Sequence, residues 1–171
     1  MVAGKETPRL DGLDTVQGAL DTIERYFDNG WTDGLPIVPP TEELVGRMLE
    51  ASGRDPMEVL GIIPPRMGVA TVEAVATNAV MAGCRPDYIT VVIAAVEALV
   101  DEPFDLQGLQ ATSDPAAPMV IVSGPVVQQV GINHGVGLFG HGSRANATIG
   151  RALRLVLVNL GGGHPDTGDK S

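Results

Sequence analysis

This chain is poor in cysteine, in long apolar runs and, over one long stretch, in acid. A single cysteine, Cys84, in 171 residues excludes an internal disulfide and fits a reducing compartment. The first residues, Met-Val-Ala-Gly-Lys-Glu-Thr-Pro, contain no apolar segment of the signal-peptide kind. The longest aliphatic run, Ile89 to Val100, is broken by Thr90 and Glu97 and is too short to cross a bilayer. No basic excess exists: the formal net charge is −10, which argues against nucleic acid and anionic membranes as partners. No internal repeat or low-complexity segment is visible. Together these absences predict a cytoplasmic protein.

What is present is a core. Hydrophobic residues make up 44% of the chain, with 22 glycines and 13 prolines, the balance of a packed α/β domain with many turns. Residues 1–13 read as a flexible arm and 166–171 as a disordered tail, leaving one domain over 14–165. Asp14 can cap a helix from Thr15 to Asn29 with Val16, Leu20, Ile23 and Phe27 on its inner face, and this helix is a candidate for docking on a neighbour. Trp31 to Pro40, which holds the only tryptophan, forbids a helix through its prolines and glycine. Its Asp33-Gly34 is turn chemistry and Leu35 to Val38 runs extended. Thr41 caps a helix over Glu42 to Ser52 that Gly53 stops. Glu58 to Ile63, Leu106 to Thr112 and Met119 to Ser123 read as strands. Thr71 to Cys84 reads as a helix with a face of small residues, Asp87 to Val100 as a nearly all-aliphatic helix, and Pro125 to Val130 as a short helix. The expected fold is α/β and helix-rich: a small sheet of three to four strands with the helices 71–84 and 87–100 at its centre.

Charge is distributed unevenly. Between Pro115 and Pro165 there is no Asp or Glu, yet this span holds Arg144, Arg151 and Arg154 and all three histidines, His134, His141 and His164. Within it a glycine-rich loop from Asn133 to Gly142 runs into a helix capped by Ser143 and stopped at Gly161. Ala145, Ile149, Ala152, Leu153, Val156 and Leu160 form its apolar stripe. Asn146 lies in the first turn, in line with Gly150, Leu153 and Leu157. A polar amide aimed at a packed side is either structural glue or the floor of a site. A helix N-terminus fed by glycines offers N–H donors and a favourable dipole to an anion. Gly142, Ser143, Arg144, Asn146 and Asn133 are the candidate anion-binding residues. The competing reading is tight loop geometry alone.

Other residues compete for chemical roles. Cys84 follows Gly83 at a helix C-terminus, where the dipole disfavours a thiolate, so it reads as a buried, inert thiol. His134 and His141 are two loop imidazoles. Either beside a bound anion can serve as a general acid or base. With Cys84 they offer transition-metal donors, but the spacing matches no compact ligand motif. Nothing in the residues requires a cofactor. Glu97 shares a helix side with Thr90, Ala94 and Asp101 and should reach water. Asn78 lies on the small-residue face with Thr71, Ala74 and Ala82 and is a secondary candidate for ligand binding.

Three strings carry a family resemblance: Trp31-Thr-Asp-Gly-Leu-Pro-Ile-Val-Pro-Pro-Thr41, Ala79-Val-Met-Ala-Gly-Cys84 and Ser143-Arg-Ala-Asn-Ala-Thr-Ile-Gly-Arg151. In this order they resemble the bacterial proteins grouped as UGSC-motif (seleno)proteins, over about Trp31 to Gly163. That group is named for a Cys/Sec-Gly-Ser-Cys motif, which this chain lacks. The resemblance therefore implies the companion portion of such a system, working with a separate thiol-bearing chain. The group's loop more often reads Asn-Ser-Gly and Phe-Gly-Pro-Gly where this chain has His134 and His141. The histidines are either a specialisation or incidental.

The functional expectation is an oligomeric cytoplasmic enzyme, or one subunit of a heteromeric enzyme, acting on a small anionic organic molecule. Arg144, Asn146 and the N–H groups after Gly142 would hold the anion, and His134 or His141 would transfer a proton. The alternatives are a non-catalytic module organising a thiol-bearing subunit, and a Cys/His transition-metal enzyme.

Overall fold

The computed structural model describes residues 15–114 and 116–164. The arm 1–13 and the tail 166–171 therefore lie outside the described residues. Among the described residues, seven α-helices and one two-stranded antiparallel sheet make a helix-rich α/β fold. The elements in order are α1 (Val16–Asp28), α2 (Glu42–Ser52), β1 (Val59–Ile63), β2 (Gly68–Thr71), α3 (Val72–Ala82), α4 (Ile89–Val100), α5 (Leu106–Ala111), α6 (Val126–Gln129) and α7 (Arg144–Asn159).

Local chemistry accounts for most of the helix ends. Thr41, Thr71 and Ser143 each sit extended before a helix, and each accepts a first-turn N–H through its side chain. Gly53 and Gly83 close α2 and α3 in the left-handed conformation that glycine adopts without a Cβ clash. A 3₁₀ turn, Pro86–Tyr88, leads into α4.

The core is centred on α3. Its small residues Ala76 and Ala79, both fully buried, let α7 approach closely, and α7 is its most extensive partner. On α7 the stripe of Ala145, Ile149, Ala152, Leu153 and Val156 is buried. Leu155, Leu157 and Val158 are buried too, so the C-terminal half of this helix is enclosed nearly all round. The expected central pair is thus a trio of α3, α4 and α7, because small residues on α3 admit a neighbour on each side. The β-hairpin lies against α4: a Cβ on Gly61 would come within 2.6 Å of Val100.

Four expectations are corrected. Among the described residues the sheet has two strands, not three or four. Leu106 to Thr112 is the helix α5, because Asp105 caps it, accepting the Gly108 N–H at 3.2 Å, and Leu106 and Gln110 face inward at helical spacing. Met119 to Ser123 forms neither strand nor helix, and no neighbouring strand pairs with it among the described residues. The inner face of α1 is also rotated from its expected position. Thr22 and Tyr26 are buried, whereas Val16 is 80% and Leu20 50% exposed. Thr22 tolerates burial because its hydroxyl donates to the Gly18 carbonyl at 2.8 Å. Tyr26 is drawn in by Trp31, whose ring meets it edge-on at 5.1 Å.

Glu97 reaches water as expected and pairs with Arg54 at 2.7 Å, while Arg54 also holds Glu58 at 2.6 Å. Among the described residues no helix is long and apolar enough to cross a membrane.

Candidate functional site

Two neighbouring clefts meet at the start of α7. The first, of about 480 Å³, is lined by His141, Gly142, Ser143, Arg144, Asn133 and residues of the Pro86–Tyr88 turn and α6. The second, of about 640 Å³, lies between α2 and the end of α3. Arg85, Asp87 and Arg144 line both and form the ridge between them.

Arg144 reaches across 61 residues of sequence to α3. Its Nε and Nη2 donate to the Gly83 carbonyl at 3.0 and 2.8 Å. This carbonyl is one of the orphan acceptors of the α3 C-terminus, so the guanidinium caps that helix end. Nη1 makes no hydrogen bond among the described residues and stays available at the ridge. Arg85 is held by Asp87 at 3.1 Å and lies 5.9 Å from the Tyr88 ring centre.

The N-terminal turn of α7 retains free donors. The Ser143 side chain accepts the Asn146 N–H at 3.4 Å, and Ala147 N–H bonds the Ser143 carbonyl. The N–H groups of Arg144 and Ala145 make no hydrogen bond among the described residues. Both residues line the first cleft, where unpaired donors and the positive helix end favour an anion.

Asn146 is not among those donors. Its Oδ1 accepts from Asn133 N–H at 2.8 Å and from the Ser143 hydroxyl at 2.7 Å. Its Nδ2 donates to the carbonyls of Asn133 at 2.9 Å and Leu138 at 3.0 Å. An amide side chain has two acceptor and two donor positions, and all four are filled. Asn146 is the clamp of the glycine-rich loop, and the Ser143 hydroxyl is spent on it. Asn133, which lines the first cleft, braces the same loop by accepting the Gly135 N–H and donating to the Val136 carbonyl.

The structure brings together His141, Gly142, Ser143, Arg144 and Asn133, and separates two other expected residues from them. His134 is exposed on the loop and lines neither cleft. Asn78 is buried between α3 and α7, bonding Ala74 O and accepting from Asn159 Nδ2 at 2.7 Å. Asn159 also donates to Trp31 O, so Asn78 belongs to a seam that ties the Trp31 loop to the core. Among the described residues no three His, Cys, Asp or Glu side chains gather closely enough to hold a metal ion.

Sequence reasoning missed Arg85, Asp87 and Arg47, which complete the clefts. The one local signal was the Arg85-Pro-Asp87 turn directly after the α3 stop. It also missed the partners Asp33 and Arg151. Arg151 Nε and Nη2 grip the two Asp33 oxygens at 3.0 and 2.9 Å, and Nη2 also donates to the Leu35 and Pro36 carbonyls.

Comparison with protein-family models, curated proteins and solved structures gave no match.

Cys84 faces the second cleft but is almost wholly buried, and its thiol donates to the Thr148 carbonyl at 3.3 Å. Burial pushes the thiol up to about 11, against a smaller lowering by the Thr148 hydrogen bond and by Arg144. At neutral pH the nucleophilic thiolate is therefore scarce. Alkylation by iodoacetamide at pH 7.5 should be far slower than for a free thiol. Cys84→Ala should cost about 1 kcal/mol in denaturant unfolding. Rapid alkylation of the folded protein would contradict this reading.

Proposed function

We propose that this chain is a cytoplasmic enzyme, or one subunit of a heteromeric enzyme, that acts on a small anionic organic molecule at the α7 N-terminus. One observation carries the reading. In a chain of net charge −10, a cleft is lined by two arginines, one histidine and one acid, with two unbonded first-turn N–H groups at its edge. Arg144 Nη1 and these N–H groups hold the anion through charge-assisted bonds. His141, at the same cleft, is the group placed to move a proton. The likeness to the UGSC-motif group supports a role beside a thiol-bearing chain.

The test is a crystal soaked in sulfate or acetate. The expected anion sits against Arg144 and the α7 first turn in the native protein and in His141→Gln, and is absent from Arg144→Gln. An anion found only elsewhere would remove the proposal.

A second reading, a non-catalytic module that organises a thiol-bearing subunit or assembles as an oligomer, is favoured by a different observation. Val136 is fully exposed, Phe139 85%, Ile121 81% and Met119 67%. Such apolar groups commonly mark contact surfaces. Co-purification separates the readings: a chain inert alone but required by a bound subunit supports the module.

A further inference from the structure

The second cleft differs from the first in its floor. Val38, Leu44, Met48 and Val80 give it aliphatic walls, and no aromatic side chain lines it. Its charged residues are Arg47, Arg85, Arg144 and Asp87. Asp87 is matched to Arg85, which leaves two guanidinium groups without a carboxylate. Arg47 makes no hydrogen bond or ion pair among the described residues, and Arg144 spends only one edge on the Gly83 carbonyl.

We infer that the ridge at Arg144 and the second cleft together bind an organic carboxylate with an aliphatic chain of several carbons. This rests on the anion-site reading above and names its substrate class. The carboxylate lies against Arg144 Nη1 and Arg47. The chain runs over Leu44 and Val38 toward Met48 and Val80. Three features select this chemistry. Two uncompensated cations in an acidic protein call for an anionic head. Aliphatic walls reward a chain that leaves water. The lack of an aromatic face removes the stacking platform on which a nucleobase would rest. A cleft of about 640 Å³ also falls within the usual range for small-molecule sites.

Burying a methylene fully strengthens binding about fourfold. In an open cleft, about twofold per methylene is the corresponding expectation. Hexanoate should then bind the native chain about tenfold or more tightly than acetate, measured by amide chemical-shift titration. Leu44→Ser should remove most of that difference while leaving acetate binding in place. Arg47→Gln, an exposed change that leaves the core intact, should weaken both acids severalfold and leave the neutral hexanol unchanged. Arg144→Gln should do the same more strongly.

If both acids bind equally and still depend on Arg144, the anion site stands and the aliphatic assignment is overturned. If hexanoate keeps its full affinity through both arginine changes, only a greasy surface is being measured, and both the assignment and the anion reading fail. Absence of saturable hexanoate binding at millimolar concentration, with acetate held at Arg144, would overturn the assignment alone.

Discussion

Replacing Arg151 with methionine should destabilise the fold by about 2–4 kcal/mol, more than any other single arginine change. The pair it forms with Asp33 is well shielded, with side chains 19% and 13% exposed. Burial alone would raise the Asp33 carboxyl. The Arg151 hydrogen bonds and charge, joined by its own and Leu35's N–H groups, outweigh that and hold it below the usual carboxylate range. Removing the guanidinium leaves a carboxylate enclosed without its partner and two backbone carbonyls, Leu35 and Pro36, without their donor. Asp33→Asn should cost less, because an amide keeps one acceptor for Arg151, and the guanidinium, though it loses its counter-charge, still has the Leu35 and Pro36 carbonyls as acceptors.

The pH dependence follows from the direction of the shift. A carboxyl lowered in the folded state contributes stability that is complete above its unfolded value of about 4 and is lost as pH falls through the folded value. In Arg151→Met the carboxyl is buried without compensation, so its protonation relieves part of the penalty. The stability gap between native and variant should be widest near neutrality and should narrow in acid. Urea unfolding at pH 7 and pH 4 measures this. A gap below about 0.5 kcal/mol at pH 7 would place the pair with ordinary surface ion pairs.

That pair also shows where sequence reading stops. Thr41, Thr71 and Ser143 as caps, and Gly53 and Gly83 as stops, are legible because each acts within a few residues of itself. Asp33 and Arg151 lie 118 positions apart. A turn aspartate and a helix-surface arginine are each ordinary alone, and only the packing of the Trp31 loop on α7 makes them partners. The clefts have the same origin. Arg144 was legible at the start of α7, but its capping of Gly83 and its meeting with Arg85 depend on α3 and α7 lying side by side.

The misread elements fail for local reasons. Leu106 to Thr112 mixes leucine, glutamine and glycine, and no period separates strand from short helix over so few residues. The Asp105 cap decides in favour of the helix. Met119 to Ser123 has strand composition, yet a strand needs a neighbour, and none of the described segments supplies one. In α1, counting apolar residues turned the helix the wrong way. A self-satisfied threonine and a tyrosine set edge-on to Trp31 are buried more deeply than Val16 and Leu20.

Asn146 poses the sharpest choice, since sequence alone leaves it as either site floor or glue. Its four side-chain bonds hold Asn133, Leu138 and the Ser143 hydroxyl, so it fixes the loop that carries His141 to the cleft. At about 1 kcal/mol for each net bond, with some relief from water at the exposed end, Asn146→Ala should lower stability by about 2–4 kcal/mol. Asn146→Asp should do no better at neutral pH. A carboxylate cannot donate, and it would face the Asn133 and Leu138 carbonyls with a negative charge. Hydrogen exchange localises the effect. The Asn133 amide, which donates to Asn146 Oδ1, should lose its protection in Asn146→Ala, where no acceptor remains, and the Gly135 amide should follow as the Asn133 turn loosens. The amides of α3 should keep their order relative to global unfolding. A ligand-contacting Asn146 would behave in the opposite way: Asn146→Ala would keep both stability and Asn133 protection while losing anion binding. That result would return Asn146 to the site and leave the loop to be held by its glycine turns alone.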